Sequence, residues 1–246
     1  MTMKGIEALK ISIFADGADI EDFRRLSKLD YIKGFTTNPT LMKKACVTDY
    51  LGFVDELLPV AGGKPICFEV ISDDFEEMGA QARTLGRLAD NIFVKVPVTD
   101  TRGNSSCPLI SSLTADGVKL NVTAMMSVEQ VERVLPCLVP GVDAILSIFA
   151  GRIADTGMDP VPMMEKASGL LSDLPHAKLL WASPRELLNL FQAEESGCDI
   201  ITLLPDIIGK FKRIGQDLDE LSLETVKMFY DDAVASGFCI PEESDR

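Results

Sequence analysis

Eight short runs rich in β-branched residues recur along the chain at intervals of about thirty residues, each followed by a longer amphipathic stretch. They occupy residues 11–15, 32–36, 66–70, 92–96, 119–123, 144–148, 178–182 and 199–203. Helix-start signals fall between them: Asp19 ahead of Ile20, Pro39 and Thr40 ahead of Leu41, Ser127 ahead of Val128, and Ser183 with Pro184 ahead of Arg185. Gly62 with Gly63, Gly141 and Gly197 suit the helix ends that precede strands. Strand and helix alternate with no Pro- or Gly-rich linker and no low-complexity tract, which predicts one domain over 1–246. Eight such units predict an α/β fold, a single closed eight-stranded (β/α)8 barrel. Two segments exceed the repeat: a polar loop over 99–106, and an extra C-terminal helix at about 217–237.

Composition narrows the function. A net charge of −14 and a pI near 4.5 exclude a basic stripe for nucleic acid, so a bound phosphate has to rely on a few local arginines. The six cysteines are scattered and form no Cys-x-x-Cys pair, which fits a reducing cytoplasm. No apolar run approaches the ~20 residues that span a bilayer, and the acidic Glu7 in the amino-terminal segment is unlike an export signal. The single histidine, His176, argues against a multi-histidine metal site and a Ser-His-Asp triad; neither metal nor cofactor is expected.

The fourth run carries the chemistry. In Asn91-Ile92-Phe93-Val94-Lys95-Val96-Pro97-Val98-Thr99, one lysine sits among large apolar residues. On a strand covered on both faces an ammonium is poorly solvated, so its pKa is expected to fall from about 10.4 and free the amine as a nucleophile. The alternative is a lysine at a strand end that snorkels to water.

In a closed parallel barrel, functional groups gather at the carboxyl ends of the strands. Asp16, Asn38, Glu69, Lys95, Asn121 with Thr123, Ser147, Ser183 and Thr202 all stand at or just past a run's end. Carboxylates, amides and hydroxyls around one lysine suit imine chemistry at a carbonyl, with the carboxylates moving protons. The two carboxylates oppose burial by favouring the ammonium; Arg152 and Arg185, if close, act the other way. Those arginines follow the sixth and seventh runs, where an Arg, a Ser cap and a helix N-terminus would make a phosphate site. For each arginine a surface salt bridge is the alternative.

Gly34-Phe35-Thr36-Thr37-Asn38-Pro39-Thr40-Leu41, Val94-Lys95-Val96-Pro97-Val98-Thr99, Asn121-Val122-Thr123, Ser147-Ile148-Phe149-Ala150-Gly151-Arg152-Ile153 and Ala182-Ser183-Pro184-Arg185 resemble, in order, the transaldolases and related fructose-6-phosphate aldolases among class I aldolases. The resemblance implies a TIM barrel and a homo-oligomer acting on sugar phosphates in carbohydrate metabolism of the pentose phosphate kind. It implies that Lys95 forms the Schiff base, that Asp16 is the base for carbon–carbon cleavage, and that Glu69 works with Thr123 through a water. Asn38, Asn121, Thr36 and Ser147 would hold the dihydroxyacetone unit, and Arg152, Ser183 and Arg185 the phosphate.

Family aldolases tend to have Gln where this chain has Glu69 and Tyr where it has Phe149, so both residues resemble the transferase branch. A glutamate can move protons where a glutamine cannot, and Phe149 offers no phenol to protonate the enamine. The expected activity is therefore transfer of a dihydroxyacetone unit between a ketose phosphate and an aldose phosphate. The alternatives are a lyase that releases or adds dihydroxyacetone and a non-catalytic sugar-phosphate-binding barrel. Pro184 departs from the phenylalanine usual in transaldolases.

Overall fold

Each β-branched run becomes a strand because its alternate side chains find cover on two sides, a shell of helices outside and its neighbours' side chains inside. The computed structural model describes residues 5–240; residues 1–4, part of the amino-terminal segment read above as unlike an export signal, and 241–246 lie outside them. The strands are β1 (Ser12–Asp16), β2 (Ile32–Thr36), β3 (Ile66–Glu69), β4 (Ile92–Pro97), β5 (Leu120–Met125), β6 (Ala144–Ile148), β7 (Ala177–Trp181) and β8 (Ile200–Leu203). They pair in parallel in chain order, and β8 returns to β1 to close the barrel. The eightfold repeat thus yields the (β/α)8 barrel.

Period-two alternation divides the strand residues between two clusters. Ile13, Phe35, Phe68, Val94, Val122, Leu146, Leu179 and Ile201 face outward and pack under the helices. Phe14, Cys67, Ile145, Leu180, Ala182 and Ile200, with Phe93 and Phe149, form the inner plug. β2 contributes Gly34 because the Phe14 ring occupies its share of the interior: a Cβ there would lie 2.5 Å from the ring. Above this apolar floor the inward positions turn polar, and a cavity opens at the carboxyl ends.

Most helix signals act where the chain pattern set them. Asp19 caps Ile20–Leu26 by accepting from Asp22 N, and Ser127 forms a reciprocal capping box with Gln130 ahead of Val128–Val134. Two starts differ from expectation. The helix after β2 begins at Pro39, with Asn38 as its cap. Ser183 and Pro184 do not start a helix: Ser183 has a left-handed backbone (φ 61°), and the helix spans Leu188–Glu195. Asn189 Oδ1 explains this, because it accepts from Arg185 N and Glu186 N and folds the intervening segment into a turn.

The 99–106 loop is tightly folded. The buried Asp100 carboxylate accepts from Arg102 N, Asn104 N and Asn104 Nδ2, while Thr101 is anchored to Asp73. The C-terminal helix, Leu218–Ala235, caps on Asp217 and buries none of its residues. No helix among the described residues is long and apolar enough to cross a membrane.

Candidate active site

Register sets the centre of the site. Glu69 on β3 pairs with Lys95 on β4, and Lys95 pairs with Asn121 on β5, so three inward side chains from separate units share one row. Lys95 is 6% exposed. Its Nζ donates to the Thr37 carbonyl at 2.8 Å and lies 2.9 Å from Glu69 Oε2. The nitrogen is therefore held beside a proton acceptor and away from bulk water. The Glu69 main chain is fixed from outside by the Tyr50 hydroxyl, which donates to its carbonyl at 2.6 Å.

Asp16 faces this row from β1. The Thr36 hydroxyl donates to Asp16 Oδ1 at 2.8 Å and is also hydrogen-bonded to Thr202. Burial pushes the Asp16 carboxyl above its ordinary value, against the smaller opposing effects of the Lys95 charge and the Thr36 hydrogen bond. A carboxylate with a raised pKa is a stronger base once ionised.

On the opposite wall Ser147 Oγ donates to Asn121 Oδ1 at 2.7 Å, and Asn121 Nδ2 reaches Cys67 Sγ at 3.4 Å. Burial, with only partial relief from Asn121, raises the Cys67 thiol to about 11, which keeps it protonated and inert at neutral pH. Thr123 Oγ1 is buried without a hydrogen-bond partner among the described residues. Such a group is costly unless water or substrate satisfies it.

The two arginines are brought together by backbone contact between the tips of β6 and β7. Gly151 N donates to the Ala182 carbonyl, and a Cβ at Gly151 would fall on the carbonyl oxygen of Ser183, so glycine is required for this approach. Arg152 lies over the Phe149 ring, 5.4 Å from its centroid. Arg185 pairs with Asp155 at 2.5 Å, and its Nε donates to the Gly151 carbonyl at 3.4 Å. The phosphate motif read from the chain is therefore corrected in part. The main-chain N–H groups at Arg185 and Glu186 are taken by Asn189, so no helix start presents them to the cavity, which Arg152, Ser183 and Arg185 line.

All thirteen residues singled out from the sequence, namely Asp16, Thr36, Asn38, Glu69, Lys95, Asn121, Thr123, Ser147, Phe149, Arg152, Ser183, Arg185 and Thr202, line one cavity of about 530 Å³. Asn38 contributes with its side-chain oxygen committed to Leu41 N, which leaves its amide nitrogen for other partners. Chain reading missed the Thr37 carbonyl that holds Lys95, the outer brace from Tyr50, and Lys44 at the rim. Thr37 alone carried a signal, as part of the Thr-Thr-Asn-Pro run; the other two sit in helices with ordinary surface patterns.

A sequence model of the family described as Transaldolase/Fructose-6-phosphate aldolase matches residues 13–238. The chain belongs to this family. A protein named probable transaldolase from Nitrosopumilus maritimus is 30% identical over 216 residues, covering 87% of this chain and 92% of that protein. Another with the same name from Dehalococcoides mccartyi is 32% identical over 192 residues, covering 78% and 85%. Among solved structures, a putative fructose-1,6-biphosphate aldolase from Coccidioides immitis superposes with a TM-score of 0.53 at 10% identity, covering 83% of this chain and 79% of that one. A flavocytochrome b2 mutant with benzoylformate superposes with a TM-score of 0.52 at 13% identity over 80% of this chain and 56% of its own. Identities this low speak for the barrel alone. The family assignment rests on the sequence matches, and it makes this chain a transaldolase-type enzyme.

Proposed function

We propose that this family member is a transaldolase that moves a dihydroxyacetone unit from a ketose phosphate to an aldose phosphate through a Schiff base on Lys95. The observation that carries the reading is the Lys95 amine 2.9 Å from Glu69, in a cavity that also holds Asp16, Thr123 and two arginines.

The arrangement supports a sequence of proton transfers. Lys95 passes its proton to Glu69 and attacks the ketose C2. The carbonyl oxygen takes a proton from the new C–N–H and becomes the carbinolamine hydroxyl. Glu69 then protonates that hydroxyl through a water beside Thr123, and it leaves as water while the C=N bond forms. Asp16 removes the C4 hydroxyl proton, the C3–C4 bond breaks, and its electrons are held as an enamine. The aldose phosphate departs, an acceptor aldose phosphate enters, and the steps reverse. Asn38, Thr36, Asn121 and Ser147 orient the three-carbon hydroxyls, while Arg152, Arg185 and Ser183 bind phosphate. Phe149 leaves the enamine without a neighbouring phenol, which favours transfer over release of dihydroxyacetone.

The active unit in this reading is one barrel domain within a homo-oligomer. In support, the C-terminal helix exposes Leu223, Val226, Phe229, Tyr230 and Val234, each more than half accessible, and a second copy of the chain would cover them. All six cysteines are free thiols, as suits a reducing cytoplasm.

Borohydride reduction in the presence of a ketose phosphate tests the chemistry. The expected result is a covalent adduct mapped to Lys95, and its absence would leave only a binding protein. Turnover that requires an aldose phosphate acceptor separates the transferase from the lyase, which needs none.

A further inference from the structure

The barrel ladder slips at two points, and one of them is at the candidate active site. Between β5 and β6, Val122 pairs with Leu146 and Met125 with Ile148, so three steps on β5 face two on β6. This is a β-bulge, a local insertion that re-aims side chains. Within it Ala124 has φ 63°, a left-handed backbone that residues with a Cβ rarely adopt. Regular alternation from Thr123 would turn Ala124 outward and drive Met125 into the cavity. Instead Thr123 and Ala124 both line the cavity, and Met125 is fully buried in the outer core.

Bordering this distortion is the Thr123 hydroxyl, which regular alternation from Asn121 already turns inward and which is buried without a partner among the described residues. We propose that the left-handed backbone at Ala124 is a positioning device: it holds the bulge that keeps Met125 out of the cavity and so fixes the neighbouring Thr123 hydroxyl beside the water through which Glu69 dehydrates the carbinolamine. The proposal rests on the imine reading above. In that step the C–O bond breaks as the nitrogen lone pair forms C=N. The oxygen leaves as water with a proton from Glu69, and Glu69 returns to the carboxylate. A hydroxyl that accepts from and donates to that water fixes its direction, and a strained hinge next to the hydroxyl limits its range. Ala124 touches no reacting atom and acts through Thr123.

Glycine adopts the same φ without strain and over a broader range than alanine, so Ala124→Gly keeps the bulge but loosens it, which makes it the informative variant. It is expected to fold and to unfold at the same or a higher temperature than the wild type. Quench-flow trapping with borohydride at saturating ketose phosphate should show adduct forming about tenfold more slowly, with KM changed by less than about twofold. Thr123→Val should slow the same step, and the double variant should be no slower than Thr123→Val alone, because both changes remove one function. Adduct formation at the wild-type rate in Ala124→Gly, or losses that multiply in the double variant, overturns the positioning role while the imine chemistry stands. A wild type that traps no adduct overturns both.

Discussion

Lys95 Nζ lies 2.9 Å from Glu69 Oε2 because the β3–β4 ladder sets the two residues side by side. The amine and a group able to take its proton are thus assembled by main-chain pairing before substrate arrives, and neither side chain has to move far. Glu69→Gln retains a hydrogen-bond acceptor but cannot carry the proton, so it should slow imine formation by roughly 10²- to 10⁴-fold. Lys95→Ala should give no borohydride adduct and only background turnover while retaining the circular dichroism spectrum of the wild type. A Glu69→Gln enzyme that forms the adduct at the normal rate would remove Glu69 from proton transfer.

Asp16 links activity to stability with opposite signs. Its folded carboxyl is raised above the ordinary 3.8 chiefly by burial. Between that value and the folded pKa the native state binds more protons than the unfolded chain, so this group's contribution to stability falls as pH rises. Asp16→Asn should therefore raise the melting temperature at pH 7, with the gain shrinking as pH is lowered toward 3.8, while cleavage is abolished. A gain that grows on acidification would contradict this account; melting curves across pH decide it.

Arg185 is shared between the cavity and Asp155. Loss of a charge-assisted bond to phosphate costs about 1.5–3 kcal/mol, so Arg185→Ala should raise KM for a ketose phosphate about 10- to 100-fold and leave KM for an unphosphorylated ketose nearly unchanged. The Asp155 pair is about half exposed and weak, so Asp155→Asn should lower KM for the phosphate substrate only modestly, by less than about fivefold. Steady-state kinetics with matched substrates check both, and equal KM changes for the two substrates would remove Arg185 from phosphate binding.

The barrel floor tolerates no added volume at Gly34. With the Phe14 ring 2.5 Å from an added Cβ, Gly34→Ala should destabilise the fold by about 1–3 kcal/mol in urea titration. A neutral result would mean that Phe14 has another rotamer to occupy.

A chain ending at Gln216 lacks the helix whose apolar side chains lie open. Sedimentation should show the full chain as an oligomer and the shortened chain as a smaller species. The same mass per particle in both would place the subunit contacts elsewhere.

Much of the fold is legible along the chain because strand and helix periods are local properties. The eight runs agree with the eight strands to within one or two residues, and residues 144–148 and 32–36 agree at both ends. Caps that act on their own turn, such as Asp19 and Ser127, are equally legible. Ser183 looks like a helix start but is not one, because its turn is decided by Asn189, whose side-chain oxygen takes the N–H groups a helix start would otherwise leave free.

Residue types at the run ends nominate the site, since a lysine among apolar neighbours and polar groups at strand tips are visible in the local order of residues. Which of them meet is another matter. Glu69, Lys95 and Asn121 are 26 residues apart in turn, and only the ladder register puts them in one row. The Asp155 hold on Arg185, the Thr37 carbonyl on Lys95 and the left-handed turn at Ala124 likewise arise from closure of the barrel. Local propensity selects the elements; long-range pairing, which has no short-range signature in the chain, selects the neighbours.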